Sequence, residues 1–389
     1  MASKIAALLS SKSRVDAPFV RVRIGDYVFG VYHKSKGVIS FPNLITSMSI
    51  KKINGLVNSY TLNMTYPVTK DVDPNTIEKI LSTDVRSRKI TFDYGDATQP
   101  NFVYRSEEAI ITDVRTDVNV KDSTISYTIS AQSTAIESLS ASCTFGGITD
   151  KPSNEIIRVL NNTSYKLLNV FTGMKNKGLS EYIDTTDSIV NIPLYKGITP
   201  LEYIANLVAC MRPNTYALST YESDDGPYFK VRKIESESKV LNTIVTYNID
   251  IGYPSADVIT DFSLKDNSNW SLYYEYLNNN ALSTDLTRLD NNGQLYQTRG
   301  MLYKGTSYNL LESDKTWWEK VTTFPISASM TLKGLLRPTM LMQYIKINVW
   351  FFGKKHTSSG YYIITGQTDN ISMGSYTTTL DLTRIAGDI

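Results

Sequence analysis

Tyr60-Thr61-Leu62-Asn63-Met64-Thr65-Tyr66 alternates apolar and polar side chains with a period of two. This is the pattern of a β-strand that buries one of its faces. The stretch follows the segment from Leu44 to Ile53 across Asn54-Gly55, a pair that tolerates the positive φ angles of a tight turn. The two segments therefore predict a β-hairpin.

The same alternation recurs on both sides of this hairpin, in Val20-Arg21-Val22-Arg23-Ile24 and from Ile125 to Ser130. Residues 16–141 therefore predict one antiparallel unit, a first β-barrel. A short helix is predicted at 73–81, where Asp-Pro can begin a helix and apolar residues follow at helical spacing. We expect this helix to lie across the mouth of the barrel.

Residues 142–250 predict a mixed α+β insert domain. Ser153 begins a predicted helix with an apolar stripe, and Thr199-Pro200-Leu201-Glu202 is a capping box that leads into a second helix. Two strand-like segments flank Asp224-Asp225-Gly226, which predicts a hairpin turn.

Residues 251–389 return to strands and predict a second β-barrel, with clear alternation from Ile326 to Leu332 and from Ile345 to Val349. A helix is predicted around 314–321. The Asn-rich and Ser/Thr-rich stretch at about 278–314 predicts a polar excursion from this barrel. The fold class is thus mainly β (α+β), with two related antiparallel β-barrels, the α+β insert and an N-terminal arm at 1–15.

A weak internal repeat connects the two predicted barrels. Ile111-Thr112 and Thr116-Asp117 precede one alternating strand, and Ile364-Thr365 and Thr368-Asp369 precede another. Chance similarity between two hairpins rich in Thr and Asp remains an alternative. If the repeat is real, the chain carries two copies of one barrel.

The composition is that of an ordinary soluble globular protein: 389 residues, 41% hydrophobic, 20% charged and a formal net charge of +2. This length predicts two to three domains. The near-neutral charge excludes a strongly basic nucleic-acid coat protein. The apolar part of the first ten residues is too short for a signal peptide, and no window is long enough to span a membrane, so we expect a soluble protein made in the cytosol.

The sequence contains no recognised catalytic or nucleotide-binding motif. Cys143 and Cys210 do not have metal-ligand spacing, and we interpret His33 and His356 as solvated turn residues. The loop around Asp290-Asn291-Asn292-Gly293 places arginines where a calcium loop needs carboxylates. We therefore expect no enzyme activity and assign no catalytic residue, cofactor or metal.

The chain is rich in tyrosine, with 26 Tyr against 12 Phe and 4 Trp. Tyrosine suits protein interfaces and carbohydrate surfaces, but it also suits half-buried sheet positions, and both interpretations stay open. The small basic clusters at Lys51-Lys52, Lys354-Lys355 and 20–23 lack interleaved stacking aromatics, and we interpret them as solvated strand faces.

The run from Phe324 to Met342 contains the turn Gly334-Leu335-Leu336-Arg337-Pro338. It continues through strands and a hairpin to Asp369-Asn370-Ile371. In this order of elements the C-terminal third resembles the second barrel of the baseplate central hub proteins of long-tailed bacteriophages. That family also looks like the hub half of the spike protein in contractile secretion systems.

The resemblance implies a homotrimer in which two similar barrels per subunit form a ring of six quasi-equivalent units. Such a ring would join a hexameric tail tube or distal tail protein to a three-fold central spike, contact tape-measure and peripheral baseplate proteins, and let DNA pass. It implies a location in the virion tail baseplate after assembly in the bacterial host cytoplasm. The turn at Gly334 to Pro338 would be structural.

Two alternatives remain. A tail-tube or distal-tail ring protein would share the strand alternation, but it is usually built from one barrel per chain. A carbohydrate-binding or glycan-degrading tail protein is motivated by the tyrosines and by the many carboxylates, although no pair of carboxylates is singled out.

Overall fold

The computed structural model describes residues 17–30, 39–40, 44–53, 57–68, 81, 89–96, 103–135, 142–175, 177–186, 189–192, 194–209, 216–223, 225–233, 245–251, 259–266, 326–333, 341 and 343–387. Strands dominate these residues, which confirms the mainly-β class. None of the helices described there is long and apolar enough to cross a membrane.

The first half of the main sheet contains the predicted hairpin. Its strands are β1 (Pro18–Ile24), β2 (Tyr27–Gly30), β3 (Ile39–Ser40), β4 (Ile45–Ile53), β5 (Ser59–Pro67), β6 (Lys89–Asp96), β7 (Val103–Asn119) and β8 (Thr124–Ser133). β4 and β5 pair antiparallel, and the even-numbered residues of β5 are buried as their alternation predicts. Leu81 is helical and buried in this core, whereas the rest of the helix predicted at 73–81 lies outside the described residues.

A mixed α+β insert follows β8. Its elements are β9 (Cys143–Phe145), β10 (Ile148–Asp150), α1 (Pro152–Asn161), α2 (Leu167–Val170), single 3-10 turns at Thr172–Met174 and Leu179–Glu181, β11 (Val190–Ile192), β12 (Tyr195–Ile198), α3 (Pro200–Ala209), β13 (Tyr216–Ser223) and β14 (Gly226–Lys233). The predicted capping box begins α3: the Glu202 amide donates to Thr199 Oγ1 at 3.3 Å, and the Thr199 amide donates to Glu202 Oε2 at 3.0 Å.

The second half of the sheet comprises β15 (Val245–Ile251), β16 (Ile259–Asp266), β17 (Ile326–Lys333), β18 (Tyr344–Phe351), β19 (Lys354–Lys355), β20 (Gly360–Ser372) and β21 (Ser375–Gly387). β15 pairs with β18, so its residues belong to the main sheet although most of them were predicted within the insert. The boundary of the second unit stays a prediction. The polar excursion at 278–314 and the helix around 314–321 lie outside the described residues.

Both halves belong to a single 15-stranded sheet. Its central path runs β16-β17-β21-β20-β4-β5-β8-β7, with β6, β1, β2 and β3 following β7. Among the described strands no pairing closes either half into a separate barrel, because β20 uses the edge of its second portion to pair with β4. The two closed barrels therefore stay a prediction.

The internal repeat is visible in the bulges of the sheet. Each half contains two strand pairs with a bulge at a threonine whose hydroxyl donates to a backbone carbonyl across the bulge. These hydrogen bonds are Thr46 to Asn63 at 3.1 Å, and Thr112 to Ser130, Thr260 to Thr331 and Thr365 to Asp381, each at 3.2 Å. β20 and β21 have a second irregularity, at Ile385, that is not part of this repeat.

Counting from these bulges aligns β4, β5, β7 and β8 with β16, β17, β20 and β21. Ile111-Thr112 aligns with Ile364-Thr365, as the sequence comparison has it. Beyond the bulge, however, Thr116 rather than Asp117 aligns with Asp369, so the second part of the sequence alignment is wrong by one residue.

Each half has its own apolar core, and the insert has a third. Tyrosines contribute much of this packing. Six of them are among the largest fully buried side chains: Tyr60, Tyr66, Tyr94, Tyr127, Tyr203 and Tyr362. The rings of Tyr60, Tyr66, Tyr127 and Tyr203 also stack on aromatic neighbours, as Tyr60 does on Phe92 with ring centroids 5.0 Å apart. These six tyrosines are therefore core residues, in agreement with the interpretation of tyrosine as a sheet residue.

The repeat predicts matched effects at aligned core positions. Leu62 lies between Met48 and Ile129, and Met330 occupies the same place in the second half; both are 0% exposed. We expect Leu62→Ala and Met330→Ala each to lower the free energy of unfolding by about 2–5 kcal/mol, because each leaves a cavity in a packed core. Urea unfolding measures the loss.

The matched control is Thr61→Ala, which changes the neighbouring, partly exposed position on the opposite face. Its effect should stay within about 0.5 kcal/mol. Equal losses at positions 61 and 62 would contradict the assignment of the two faces.

Candidate assembly interface

β20 divides one edge between two partners. Gly360 to Ile363 pair with β18, and Gly366 to Ser372 pair antiparallel with β4. The second pairing joins the two halves of the sheet, and Ser49 Oγ donates to Asn370 Oδ1 across it at 2.8 Å. We call this pairing the internal junction.

A buried lysine lies at the internal junction. Lys52 of β4 is opposite Gln367 of β20, and its side chain is 0% exposed. Lys52 Nζ is 3.3 Å from Glu107 Oε1, whose side chain is 1% exposed. An isolated ammonium group is costly to bury. The ion pair with Glu107 compensates this cost and so allows Lys52 to lie in the core.

Glu107 is held by two tyrosines as well. Tyr60 OH donates to Glu107 Oε2, and Tyr94 OH donates to Oε1, both at 2.8 Å. Each carboxylate oxygen thus accepts a hydrogen bond from a phenol, and one of them also faces the lysine. Hydrogen bonds of this charge-assisted kind compensate part of the lost hydration.

A second carboxyl group, that of Asp369 in β20, is buried beside this cluster. It accepts hydrogen bonds from Thr378 Oγ1 at 2.7 Å and from Gln367 Nε2 at 2.9 Å. Burial raises the pKa of Asp369, while the positive charge of Lys52 and the two hydrogen bonds act in the opposite direction. Residues from both halves therefore meet in one buried polar cluster.

The buried cluster distinguishes the internal junction from the other edges. In the aligned first half, Asp369 is replaced by Thr116 and Thr378 by Tyr127. A one-residue slip of β20 against β4 would move Gln367 and Asp369 to the opposite face and leave Lys52 without them. We infer that the cluster sets the register between the two halves.

β7 has the same divided edge as β20. Val103 to Ile110 pair with β6, while the segment from Asp113 to Asn119 pairs, among the described strands, with β8 alone. Val118 in this segment is 63% exposed. The second portion of β7 therefore corresponds to the part of β20 that pairs with β4, and no described strand pairs with this edge of β7.

The complementary edge belongs to β16. This strand aligns with β4, and the described strands pair with it on one side only, through β17. Leu264 on this strand is 39% exposed, and Phe262 is partly exposed. Exposed strand edges with apolar side chains are places where another chain can add to a sheet.

The face of the eight central strands that points away from the cores is polar. It carries mostly hydroxyl side chains, including Thr61, Thr65, Ser126, Thr128, Ser329, Thr331, Thr377 and Thr379. The charged residues on this face are balanced: Lys51, Arg115, Lys265 and Lys333 against Asp113, Asp117, Asp261 and Asp381. We call this surface the hydroxyl face.

The residues that the sequence analysis singled out differ in how their predicted roles compare with the structure. The turn from Gly334 to Pro338 lies outside the described residues. Arg21 and Arg23 were interpreted as part of a solvated strand face, but both form ion pairs with the buried Asp93, and Arg21 is 16% exposed. The same interpretation is wrong for Lys52, which is 0% exposed. Lys354-Lys355 is exposed on β19, as interpreted.

Sequence reasoning missed the buried cluster. One signal was present: Lys52 continues the even-numbered phase of Met48 and Ile50 and so occupies a core position of β4. His356 was interpreted correctly, since it is exposed and its Nδ1 lies 2.7 Å from Ser358 Oγ. Within the described residues, no group of His, Cys, Asp and Glu side chains is arranged to hold a metal ion.

No protein-family model matches the chain. No curated protein matches it either. Solved structures do match. A 43 kDa tail protein of prophage MuSo2 from Shewanella oneidensis is 10% identical, with a TM-score of 0.55 and coverage of 95% of this chain and 98% of that one. A tail protein from Neisseria meningitidis is 11% identical, with a TM-score of 0.50 and coverage of 95% and 97%.

The chain has the fold of phage tail proteins. The predicted resemblance is confirmed at that level. A component of the E. coli type VI secretion system, itself described as structurally similar to the T4 tail proteins gp27 and gp5, matches at 8% identity and a TM-score of 0.46 over 88% of this chain and 74% of its own.

The buried ion pair predicts a large effect of a small substitution. Glu107→Gln removes the charge facing Lys52, and we expect it to lower the free energy of unfolding by about 3 kcal/mol, because a buried ammonium group loses its paired carboxylate. Urea unfolding at neutral pH measures the loss.

The adjacent residue supplies a matched control. Glu108 also faces a lysine, Lys89, at 3.3 Å, but these side chains are 55% and 65% exposed. Glu108→Gln should therefore change stability by less than about 1 kcal/mol. Similar losses for the two variants would show that burial does not decide the strength of the Lys52 pair.

Asp369 predicts a pH dependence. Because burial raises its pKa, the folded protein keeps this proton to a higher pH than the unfolded chain, whose aspartates titrate near about 4. The contribution of Asp369 to stability is therefore full below that pH and falls as the pH rises toward the folded pKa. Asp369→Asn removes the titration.

The measurement is the free energy of unfolding of both proteins from pH 3.5 upward. The stability of Asp369→Asn relative to the wild type should increase with pH over this range. A difference that is flat or falls with pH would contradict the raised pKa.

Proposed function

We propose that this chain is the structural subunit of a phage tail baseplate hub. Three copies would form a ring that joins a hexameric tail tube to a three-fold central spike and lets DNA pass through its channel. One observation carries the proposal. The internal junction of β20 with β4 has a counterpart that no described strand fills, namely the edge of β7 at one end of the eight-stranded path and the edge of β16 at the other.

The repeat specifies how two chains would pair. In the internal junction Ile371 lies opposite Met48, and Asn370 lies opposite Ser49. Transferring this register to the aligned strands places Val118 opposite Phe262 of the next chain. By the same transfer, Asp117 faces Ser263 of the next chain, and the two strands are antiparallel.

The side chains suit this pairing. Val118 and Phe262 of the next chain repeat the apolar pair Ile371 and Met48, and a 63% exposed valine would be covered. Ser263 of the next chain can donate a hydrogen bond to Asp117, as Ser49 donates to Asn370 within the chain. Apolar contact and main-chain hydrogen bonds together favour strand addition.

Closure with three chains agrees with the geometry of sheets. Eight strands from each of three chains give a ring of 24. With strands spaced about 4.8 Å apart, such a ring has a backbone diameter of about 37 Å before strand tilt widens it, which leaves a channel inside. Each half, with its own core, would form one of six barrel-like lobes.

We assign the hydroxyl face to the channel wall because its charges are balanced. DNA binds tightly where lysine and arginine side chains neutralise phosphates, so a conduit that releases DNA needs few uncompensated positive charges. On this face the acidic and basic residues are balanced among serines and threonines. The ring would guide DNA without holding it.

We infer a coupling role without catalysis, in a virion tail assembled in the bacterial cytoplasm. The ring would contact the tail tube or distal tail protein and the spike directly. Contacts with tape-measure and peripheral baseplate proteins complete the proposal. This coupling would depend on the paired strand edges and the packed cores, and it would need no reactive group.

A disulfide between chains tests the ring. We expect Val118→Cys combined with Phe262→Cys, in a background with Cys143→Ser and Cys210→Ser, to give a covalent trimer on oxidation, because opposite residues of antiparallel strands have Cα separations that a disulfide spans. Denaturing gels and light scattering, with the protein alone and mixed with the spike, should give about 131 kDa, three chains of 43.7 kDa.

The control pairs Val118→Cys with Ser263→Cys, because residue 263 points to the opposite face of the strand and cannot reach. Equal cross-linking of both variants would contradict the register. A six-fold ring of identical lobes would instead indicate the tail-tube or distal-tail alternative. A persistent monomer that binds host glycan would indicate the carbohydrate-binding alternative.

A further inference from the structure

Two hairpin tips of the sheet carry exposed aliphatic side chains at aligned positions. β7 and β8 pair up to Asn119 and Thr124, and β20 and β21 pair up to Ser372 and Ser375. The next residue in each tip is Val120, which is 85% exposed, or Met373, which is 72% exposed. Counting from the bulges, these two residues occupy the same position of the repeat.

A single exposed aliphatic residue needs no explanation, but its repetition in both halves does. Both tips also have apolar surroundings. Val68, which is 46% exposed, donates its amide to the Ser123 carbonyl in the first tip at 2.8 Å. Beside the second tip, Pro18 and Phe19 help to line a cavity of about 80 Å³ that Met373 also borders. Apolar groups are thus gathered where turns normally carry polar residues.

The first tip is also held in one conformation. Asn119 Nδ2 donates to Asp122 Oδ2 at 2.7 Å, and the Asp122 amide donates to Asn119 Oδ1 at 3.2 Å. Because the turn is braced internally, Val120 is presented to solvent at little further cost in conformational entropy. A braced apolar tip is suited to contact with a partner.

The opposite end of the sheet differs between the halves. There the Ser133 amide donates to the Asn58 carbonyl at 2.9 Å, and Val57 packs against the core of the insert that follows β8. Each chain has one insert but two tips, so this end has three-fold character in the proposed ring. The tips of both halves lie at the other end, which we call the hairpin rim and define by residues 120–123 and 373–374.

We propose that the hairpin rim is the docking surface for a six-fold partner, a hexameric ring of tail-tube protein. This inference rests on the trimeric ring proposed above. In that ring, three Val120 and three Met373 side chains alternate around the channel mouth, so six equal subunits would each meet one apolar tip. A three-fold spike would then bind at the end that carries the insert.

The experiment combines Val120→Asp with Met373→Asp and measures binding to the purified tail-tube protein of the same virus, together with the mass of the ring. Both positions lie beyond the strand segments that form the proposed chain-to-chain pairing. We therefore expect the mass of the trimer to stay near the wild-type value while tube binding weakens at least tenfold.

The control combines Ile189→Asp with Leu194→Asp. These residues are aliphatic, lie in the insert and are 66% and 56% exposed. Because the insert lies at the end opposite the hairpin rim, the same two charges there should leave binding of the tube protein unchanged.

The outcomes separate the two proposals. If the rim variant forms the trimer and binds the tube protein as the wild type does, the hairpin rim is not the docking surface, although the hub proposal stands. Loss of tube binding in the insert control alone would overturn the rim assignment in the same way. If the wild type forms no trimer even with the spike, the hub proposal itself fails.

Discussion

The structure depends on one pairing, the antiparallel contact of β20 with β4. It turns two four-stranded units, each with its own core, into one continuous eight-stranded surface. Strand edges are ordinarily a liability that proteins cover. Here one edge of each unit is covered by the other unit, and no described strand pairs with the second portion of β7 or with the outer edge of β16.

The interior of that pairing is polar, which is unusual for a core. Lys52, Glu107 and Asp369 are buried together with hydrogen bonds from tyrosine, threonine and glutamine side chains. An apolar replacement of such a cluster is often as stable, so stability alone does not account for it. The cluster lies at the junction between two similar units, which indicates a role in specificity. Because it forms only when β20 and β4 pair in the observed register, it favours this pairing within the chain over pairing with another chain.

Pattern in the sequence predicts the local structure well. Alternation in β5, the capping box at Thr199 and the turn at Gly226 depend on neighbouring residues, and all three form as expected. The repeat is harder, because a bulge shifts the phase by one residue and alternation cannot locate the bulge from one strand alone. This is why the pairing of Thr116-Asp117 with Thr368-Asp369 is wrong by one position, while Ile111-Thr112 is aligned correctly.

The mainly-β class and the mixed insert were predictable from the sequence, since each depends on periodicity or on caps within a few residues. The repeat was only indicated there, and the aligned bulges of the sheet support it. Three features depend on long-range packing and became visible in the folded chain: the units share one sheet, Lys52 is buried against Glu107, and Val120 and Met373 occupy aligned tips. The partners in these contacts are as much as about 320 residues apart, as Ser49 and Asn370 are. Which edges meet at such separations is set by the packing of complete units.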